Sequence, residues 1–412
     1  MSQQALAVPA REIKALRRAS NAGRWRRWLA VTLAAPLAGG AHGVVLRGAH
    51  DANASATEAV NASAAWALND SAAAGHARSK QPRGARVYFL FLAVDKVSNL
   101  DVWQAFFAPA PSERYRALVH CKLPECLQQV HGSVLTAVPS VPSYYCTDLV
   151  SPMQQLVNIA LQDNDGYPNP ADKFAFVSDS TLPAKPFSYI YNTLANRRGS
   201  DFCIFPSNEW ADIPAPGGGV EIAAKHHQWI TLERAHAEKS WSLWSQGHFH
   251  HFMAHFRMNT QAYTWSNNSY ADTRNFGCLD EFWHLIALYG TLHSQDMVTD
   301  ITIPLTMFSG GPLHINPWVG WQGECDTFVQ WAKYLHTSGS NPFSRFHSTL
   351  DQMSVPHSGN SFRPGWWDTI TTHGLRAIRQ SSFLFMRKFI DRPRIHDGYD
   401  FAAAYRQYVL AD

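Results

Sequence analysis

Residues Val87-Tyr-Phe-Leu-Phe-Leu-Ala-Val94 set eight apolar side chains in a row, three of them aromatic, with no polar break. A run this short and continuous marks a strand buried on both faces, which belongs in a sheet covered from two sides. Further strands are predicted at 115–120, more weakly at 133–138, and at 173–178. Between them, residues 99–107 carry Leu100, Trp103 and Phe107 at helical spacing, and residues 149–161 carry Leu149, Met153, Leu156, Ile159 and Ala160. Strands alternating with helices predict an α/β domain with a mostly parallel central sheet flanked by helices. Such sheets take ligands at the carboxyl ends of their strands. Val177-Ser-Asp-Ser-Thr-Leu-Pro183 falls at such an end, making Asp179 a candidate pocket residue; a turn or capping acid is the alternative.

The 412 residues are 46% hydrophobic and only 16% charged, which excludes a largely disordered chain. A formal net charge of +3 is too small to point to nucleic acid as a partner. The basic excess is local: Arg11, Lys14, Arg17, Arg18, Arg24, Arg26 and Arg27 face Glu12 alone. Residues 28–46 then run without an acid, Lys or Arg, close to the ~20 residues that span a bilayer as a helix. The reading is a cytoplasmic basic tail (1–27), a signal anchor (28–46), a flexible Ala/Asn/Ser stem (47–85), a catalytic domain (86–393) and a C-terminal tail (394–412). That order predicts a single-pass type II protein with a lumenal bulk. A cleaved signal peptide, leaving the protein in the secretory lumen, and an organellar transit peptide remain open. Sequons at Asn53, Asn61, Asn69 and Asn267 fit a lumenal location. Cys121, Cys126, Cys146, Cys203, Cys278 and Cys325 match no zinc spacing and are disulfide candidates of open connectivity, with buried thiols as the alternative.

Six segments, in order, carry a family likeness. They are Arg86-Val-Tyr-Phe-Leu-Phe-Leu-Ala with Val102-Trp-Gln-Ala-Phe-Phe, and Tyr115-Arg-Ala-Leu-Val-His-Cys-Lys122. Next come residues 174–194 with their Pro183 turn, then Lys225-His-His-Gln-Trp-Ile-Thr-Leu-Glu-Arg-Ala-His-Ala237. The last two are Cys278-Leu-Asp-Glu-Phe-Trp-His284 and Gly374-Leu-Arg-Ala-Ile-Arg-Gln-Ser-Ser-Phe-Leu-Phe-Met-Arg-Lys-Phe389. Together they resemble the core-2/I-branching β-1,6-N-acetylglucosaminyltransferase family, particularly its plant and protist members. The resemblance implies a GT-A-like fold and inverting transfer from a UDP-sugar, typically UDP-GlcNAc, to a glycan hydroxyl. It implies no metal cofactor.

By the same resemblance Glu281 is the general base, and Lys388 with Arg387 stabilises the leaving diphosphate. Arg363 leads the candidates for a second basic residue, followed by Arg376 and Arg379. Asp280, Asp179, Gln228 and Trp229 complete the substrate-binding set. From the residues alone, Asp280 could instead cap the following helix with Glu281 in its first turn. The basic residues could line a solvated helix face. Two departures stand out: Cys121-Lys122 replaces an acid after Val-His, and His226-His227 replaces Gly-Ser before Gln-Trp.

Asp163-Asn164-Asp165 fits the metal-binding Asp-x-Asp pattern formally, but it lies before a strand beside Gly166 and Pro168 and is read as a turn. His248, His251 and His255 would share one helical face beside His250, which suits Zn²⁺ or Cu²⁺; with no carboxylate or Cys in register, exposed polar residues are the alternative. Two other functions therefore stand beside the transferase: an inactive glycan-binding member, and a metal-binding protein organised by these histidines.

Overall fold

The computed structural model describes residues 83–163, 168–205, 210–215, 217–247, 254–255, 277–293, 314–317, 325–329 and 366–412. All belong to one compact unit, Ala77–Asp412. The basic tail, the anchor candidate, nearly all of the stem, the four sequons, Arg363, His248, His250 and His251 lie outside the described residues. Among the described residues no helix is long and apolar enough to cross a membrane.

The strands are β1 (Val87–Ala93), β2 (Tyr115–Cys121), β3 (Thr136–Ala137), β4 (Lys173–Ser178), β5 (Thr181–Pro183), β6 (Asp201–Ile204), β7 (Ala211–Pro214), β8 (Val220–Ala223), β9 (Thr231–Glu233), β10 (Leu292–His293), β11 (His314–Pro317), β12 (Thr327–Val329), β13 (Trp367–Ile370), β14 (Phe385–Arg387) and β15 (Phe389–Ile395). The α-helices are α1 (Leu100–Phe107), α2 (Pro124–Val130), α3 (Val150–Leu161), α4 (Phe187–Asn196), α5 (Arg234–Ser245), α6 (Trp283–Tyr289), α7 (Thr372–Gln380) and α8 (Phe401–Tyr405). The central sheet runs β11-β6-β9-β4-β1-β2-β3. β1 pairs in parallel with β2 and β4, and β6 with β11, while β9 runs antiparallel between β4 and β6. This is the α/β architecture predicted, compatible with a GT-A-like fold.

Strand β1 explains the two-sided cover. Val87, Phe89 and Phe91 face a core with α1, α4, α7 and α8, whereas Tyr88 and Leu90 face a second core with α3, α5 and α6. Successive side chains point to opposite faces, so an uninterrupted apolar run serves both layers. The strand expected over 133–138 shortens to Thr136–Ala137, at the sheet edge and exposed. Pro139 and Pro142 follow it and offer no N–H for further pairing.

Residues 394–412, expected as a tail, instead complete the first core. Phe401, Tyr405 and Val409 are buried there, and the Tyr405 hydroxyl donates to the Pro183 carbonyl at 3.0 Å. Arg376 and Arg379, candidates for a second basic residue, contact this C-terminal segment. Arg379 donates to the carbonyls of Val409 and Ala411, and Arg376 lies 4.6 Å from the Tyr408 ring centre.

At the amino edge of the sheet the charges are closely paired. Asp172 is fully buried and accepts from both Arg83 terminal nitrogens at 2.7 Å, from the Arg86 amide at 2.8 Å and from Arg234 at 2.7 and 3.0 Å. Burial alone would raise its carboxyl, but the bonds from Arg83, Arg234 and the Arg86 amide outweigh that and hold it below the ordinary range. Asp163, first residue of the Asp-x-Asp triplet, pairs there with Arg86 at 2.5 Å and Arg116 at 3.2 Å. Its carboxylate is engaged at the edge opposite the strands' carboxyl ends. All six cysteines form disulfides: Cys121–Cys126, Cys146–Cys278 and Cys203–Cys325.

Candidate active site

The site grows from the carboxyl end of β4. Asp179 follows that strand, its amide donating to the Leu92 carbonyl at 2.9 Å and its carbonyl accepting from the Ser98 amide at 2.7 Å. The turn is thereby tied to the end of β1. Strand β14 then runs antiparallel to β5 with Arg387 opposite Thr181, and the Phe389 amide donates to the Ser180 carbonyl at 2.9 Å. This pairing carries Arg387-Lys388 alongside Asp179, some 200 residues away in sequence. Burial raises the Asp179 carboxyl, and the charges of Arg387 and Lys388 oppose the rise.

Arg387 lies with its guanidinium carbon 4.3 Å from the centre of the Trp229 ring, a cation–π contact. It is buried, and its Nε has no hydrogen-bond partner among the described residues. Burial pushes it down to about 10, with Asp179, Tyr145 and Asp280 acting the other way, so it remains charged at neutral pH. Lys388 places its ammonium 4.0 Å from the Trp366 ring centre. The Gln228 Nε2, beside Trp229, is buried without a partner among the described residues.

The acidic pair sits on a 3₁₀ turn, Leu279–Glu281, ahead of α6. Asp280 does not cap that helix, contrary to one expectation. Cys278 heads the turn, the Glu281 carboxylate accepts from the Cys278 amide at 3.0 Å, and α6 begins only at Trp283. Three ties hold the turn in place. The Cys146–Cys278 disulfide joins it to the 144–148 segment, the Leu279 amide donates to the Cys146 carbonyl, and the His226 amide donates to the Glu281 carbonyl at 2.7 Å. Gly277 is required by close approach, because a Cβ there would collide with the Phe282 ring.

Glu281 lies 3.5 Å from the Lys225 ammonium, which also stands 4.8 Å from the Phe205 ring centre. Asp280 is 2% exposed, and its Oδ1 lacks a hydrogen-bond partner among the described residues. Burial, then the neighbouring Glu281 charge, pushes its carboxyl up to about 8; Asp148 adds to the rise and Arg387 opposes it. Asp280 is therefore mostly protonated at neutral pH and can donate a hydrogen bond.

The unexpected His226-His227 pair is wholly interior. Burial lowers His226 to about 4, and burial with the Arg387 charge holds His227 well below its ordinary range, so both rings are neutral. His226 meets Phe202 and His284 edge-on at 5.4 and 5.8 Å between ring centres. His120, from the Val-His segment, accepts from the Val141 amide at 2.9 Å and so anchors the loop after β3.

The fold thus gathers Asp179, Gln228, Trp229, Asp280, Glu281, Arg387 and Lys388 around one end of the sheet. Lys225, Tyr145 and Asp148 join them without having been singled out, and so does His227, noted in the sequence only as a departure from Gly-Ser. Lys225 and His227 stood inside a recognised segment, whereas Tyr145 and Asp148 carried no signal beyond the neighbouring Cys146. Among the described residues no group of three or more His, Cys, Asp or Glu could hold a metal ion. Of the histidine cluster only His255 is described. A buried cation beside a basic partner can neutralise a phosphate, and an adjacent carboxyl pair can accept and donate protons.

No family model matches the chain. Over 174 residues, 38% of this chain, it is 28% identical to Glycosyltransferase BC10 of Oryza sativa subsp. japonica. The chain spans 40% of the length of that curated relative, a distant similarity to a protein named for glycosyl transfer.

Proposed function

We propose that this chain is an inverting glycosyltransferase that moves a sugar, GlcNAc foremost, from a UDP-sugar to a glycan hydroxyl without a metal ion. The observation that carries this reading is the buried Arg387, set on the Trp229 ring opposite Thr181 at the carboxyl end of the sheet, with the Asp280 carboxyl within reach of its charge. The distant similarity to a plant glycosyltransferase supports it independently.

Glu281 takes the proton of the acceptor hydroxyl as that oxygen attacks the anomeric carbon and the bond to the UDP oxygen breaks. Lys225 and the Cys278 amide hold its carboxylate in place. A protonated Asp280 spares Glu281 a second anion at its side. Arg387 and Lys388 meet the charge that develops on the departing diphosphate; a desolvated guanidinium with a spare N–H suits that task. Engagement of Asp163 by Arg86 and Arg116 at the far edge supports cationic rather than Asp-x-Asp metal stabilisation. Three disulfides favour an oxidising compartment, consistent with a Golgi lumen and an anchor at 28–46.

The test is a UDP-sugar binding and turnover panel in EDTA, with Glu281→Gln and Lys388→Ala beside the parent. One donor should bind and turn over. Glu281→Gln should keep donor affinity and lose turnover by about 10²–10⁴-fold, while Lys388→Ala should weaken donor binding. Absence of binding to every UDP-sugar by folded protein would sink the reading, and the glycan-binding alternative would replace it.

A further inference from the structure

A cleft of about 730 Å³ is lined in part by Tyr144, Asp148, Ser151, Gln155, Trp241 and Trp244. That volume lies within the ~300–1,000 Å³ typical of small-molecule sites. Trp241 and Trp244 are three residues apart on α5 and therefore share one face. Trp244 meets the buried Trp283 edge-on at 5.0 Å, and the Trp283 Nε1 donates to the Ser240 hydroxyl at 3.2 Å. Its ring plane is set by packing rather than left free. Across the cleft Tyr144 is 59% exposed.

Polar groups are placed as firmly. The Tyr144 and Asp148 backbones exchange hydrogen bonds at 3.0 and 2.8 Å, closing a tight turn. The Asp148 carboxylate accepts from the Ser151 amide at 3.0 Å and its hydroxyl at 2.9 Å, which orients it at the start of α3. Cys146, inside this turn, is bonded to Cys278, two residues before Asp280. The same turn bears on both halves of the candidate active site: Asp148 acts on Asp280, and Tyr145 on Arg387. The turn that lines the cleft is thus covalently tied to the segment that carries the acids.

Its chemistry selects a ligand class. Aromatic rings with a hydroxyl, an amide and a carboxylate between them suit a molecule with apolar C–H faces and a belt of hydroxyl groups. No Lys or Arg lines the cleft itself among the described residues, and the nearby Lys122 ammonium is held over the Tyr144 ring at 5.6 Å, so the lining favours an uncharged ligand. We infer that this cleft is the subsite for a neutral saccharide chain leading to the acceptor hydroxyl, with Trp241 and Trp244 as stacking platforms and Asp148 as a hydrogen-bond acceptor. The inference rests on the proposed function for the word acceptor, but saccharide binding in the cleft can be tested separately.

The experiment titrates the full chain with cellotetraose, xylotetraose and lacto-N-tetraose by calorimetry, and follows saturation transfer from the indole protons. UDP-GlcNAc is titrated in parallel. At least one tetrasaccharide should bind with transfer from indole protons. Trp241→Ala and Trp244→Ala should weaken it at least tenfold, Trp241→Phe should retain most of it, and UDP-GlcNAc affinity should be unchanged in all three. If the protein binds UDP-GlcNAc but none of the tetrasaccharides, the inference is overturned. Equal binding by the alanine variants, or by a sulfated heparin tetrasaccharide, overturns it as well. Tryptophan-dependent saccharide binding without any UDP-sugar binding would uphold the cleft and remove the transferase reading.

Discussion

The two ends of the central sheet treat buried charge in opposite ways. At the amino edge Asp172 has both carboxylate oxygens filled by Arg83, Arg234 and the Arg86 amide. At the carboxyl edge Asp280 is also buried, yet its Oδ1 lacks a partner among the described residues, while an unpartnered guanidinium Nε occurs at both ends, on Arg83 and on Arg387. Burying a polar group without a partner costs free energy, and native proteins rarely accept that cost without return. The first arrangement holds β1, β4 and α5 together. The second leaves the Asp280 carboxyl with unused hydrogen-bonding capacity at the candidate site.

Breaking the amino edge should have the largest effect on stability. Asp172→Asn leaves Arg83 and Arg234 buried beside a neutral group and should cost about 3–5 kcal/mol, read as a fall in denaturation midpoint. An unchanged midpoint would mean the network is not structural. Arg387→Met should do the reverse. Replacing an incompletely satisfied buried cation by an apolar chain should leave stability equal or raise it by ~1–4 kcal/mol, while donor affinity is lost. A large loss of stability would show that Arg387 belongs with the structural charges.

Acid and base should also act oppositely on the two ends. Asp172 is depressed in the fold, so its contribution is present above its unfolded value and fades as pH falls through the folded one. Asp280 is raised to about 8, so its contribution is present at low pH and is lost as pH rises from ~4 to ~8, at up to about 1.4 kcal/mol per unit. Asp280→Asn should flatten that part of the stability–pH curve. An unaltered slope would place the proton elsewhere. The smallest effect belongs to the exposed Lys96–Asp391 pair at 2.7 Å. Lys96→Ala should change stability by less than about 1 kcal/mol, as solvent-screened pairs do, and a larger loss would mark that rim as structural too.

Much of this was legible in the chain. The uninterrupted run at β1 requires cover on both faces, and the alternation of periods predicts the α/β sheet and a ligand edge at Asp179. Strand β4 falls at the predicted residues and α3 within one of them, because apolar spacing is a local property. Ordered motifs drew attention to Glu281 and to Arg387-Lys388. Local pattern failed where partners are distant: the supposed tail beyond 393 closes the core, and Arg376 and Arg379 clasp the C-terminus.

The sequence by itself determined the layer architecture and the short list of charged residues worth watching. Only the tertiary structure decided which charges are satisfied, how the cysteines pair, and that the 144–148 turn stands beside Asp280. The reason is physical. Periodicity reports which face of an element is apolar, whereas a carboxyl's proton affinity depends on burial and on charges brought near by strand register and disulfides. Asp172 and Asp280 are the same residue type, and only what the fold packs around each makes one a strut and the other a candidate proton donor.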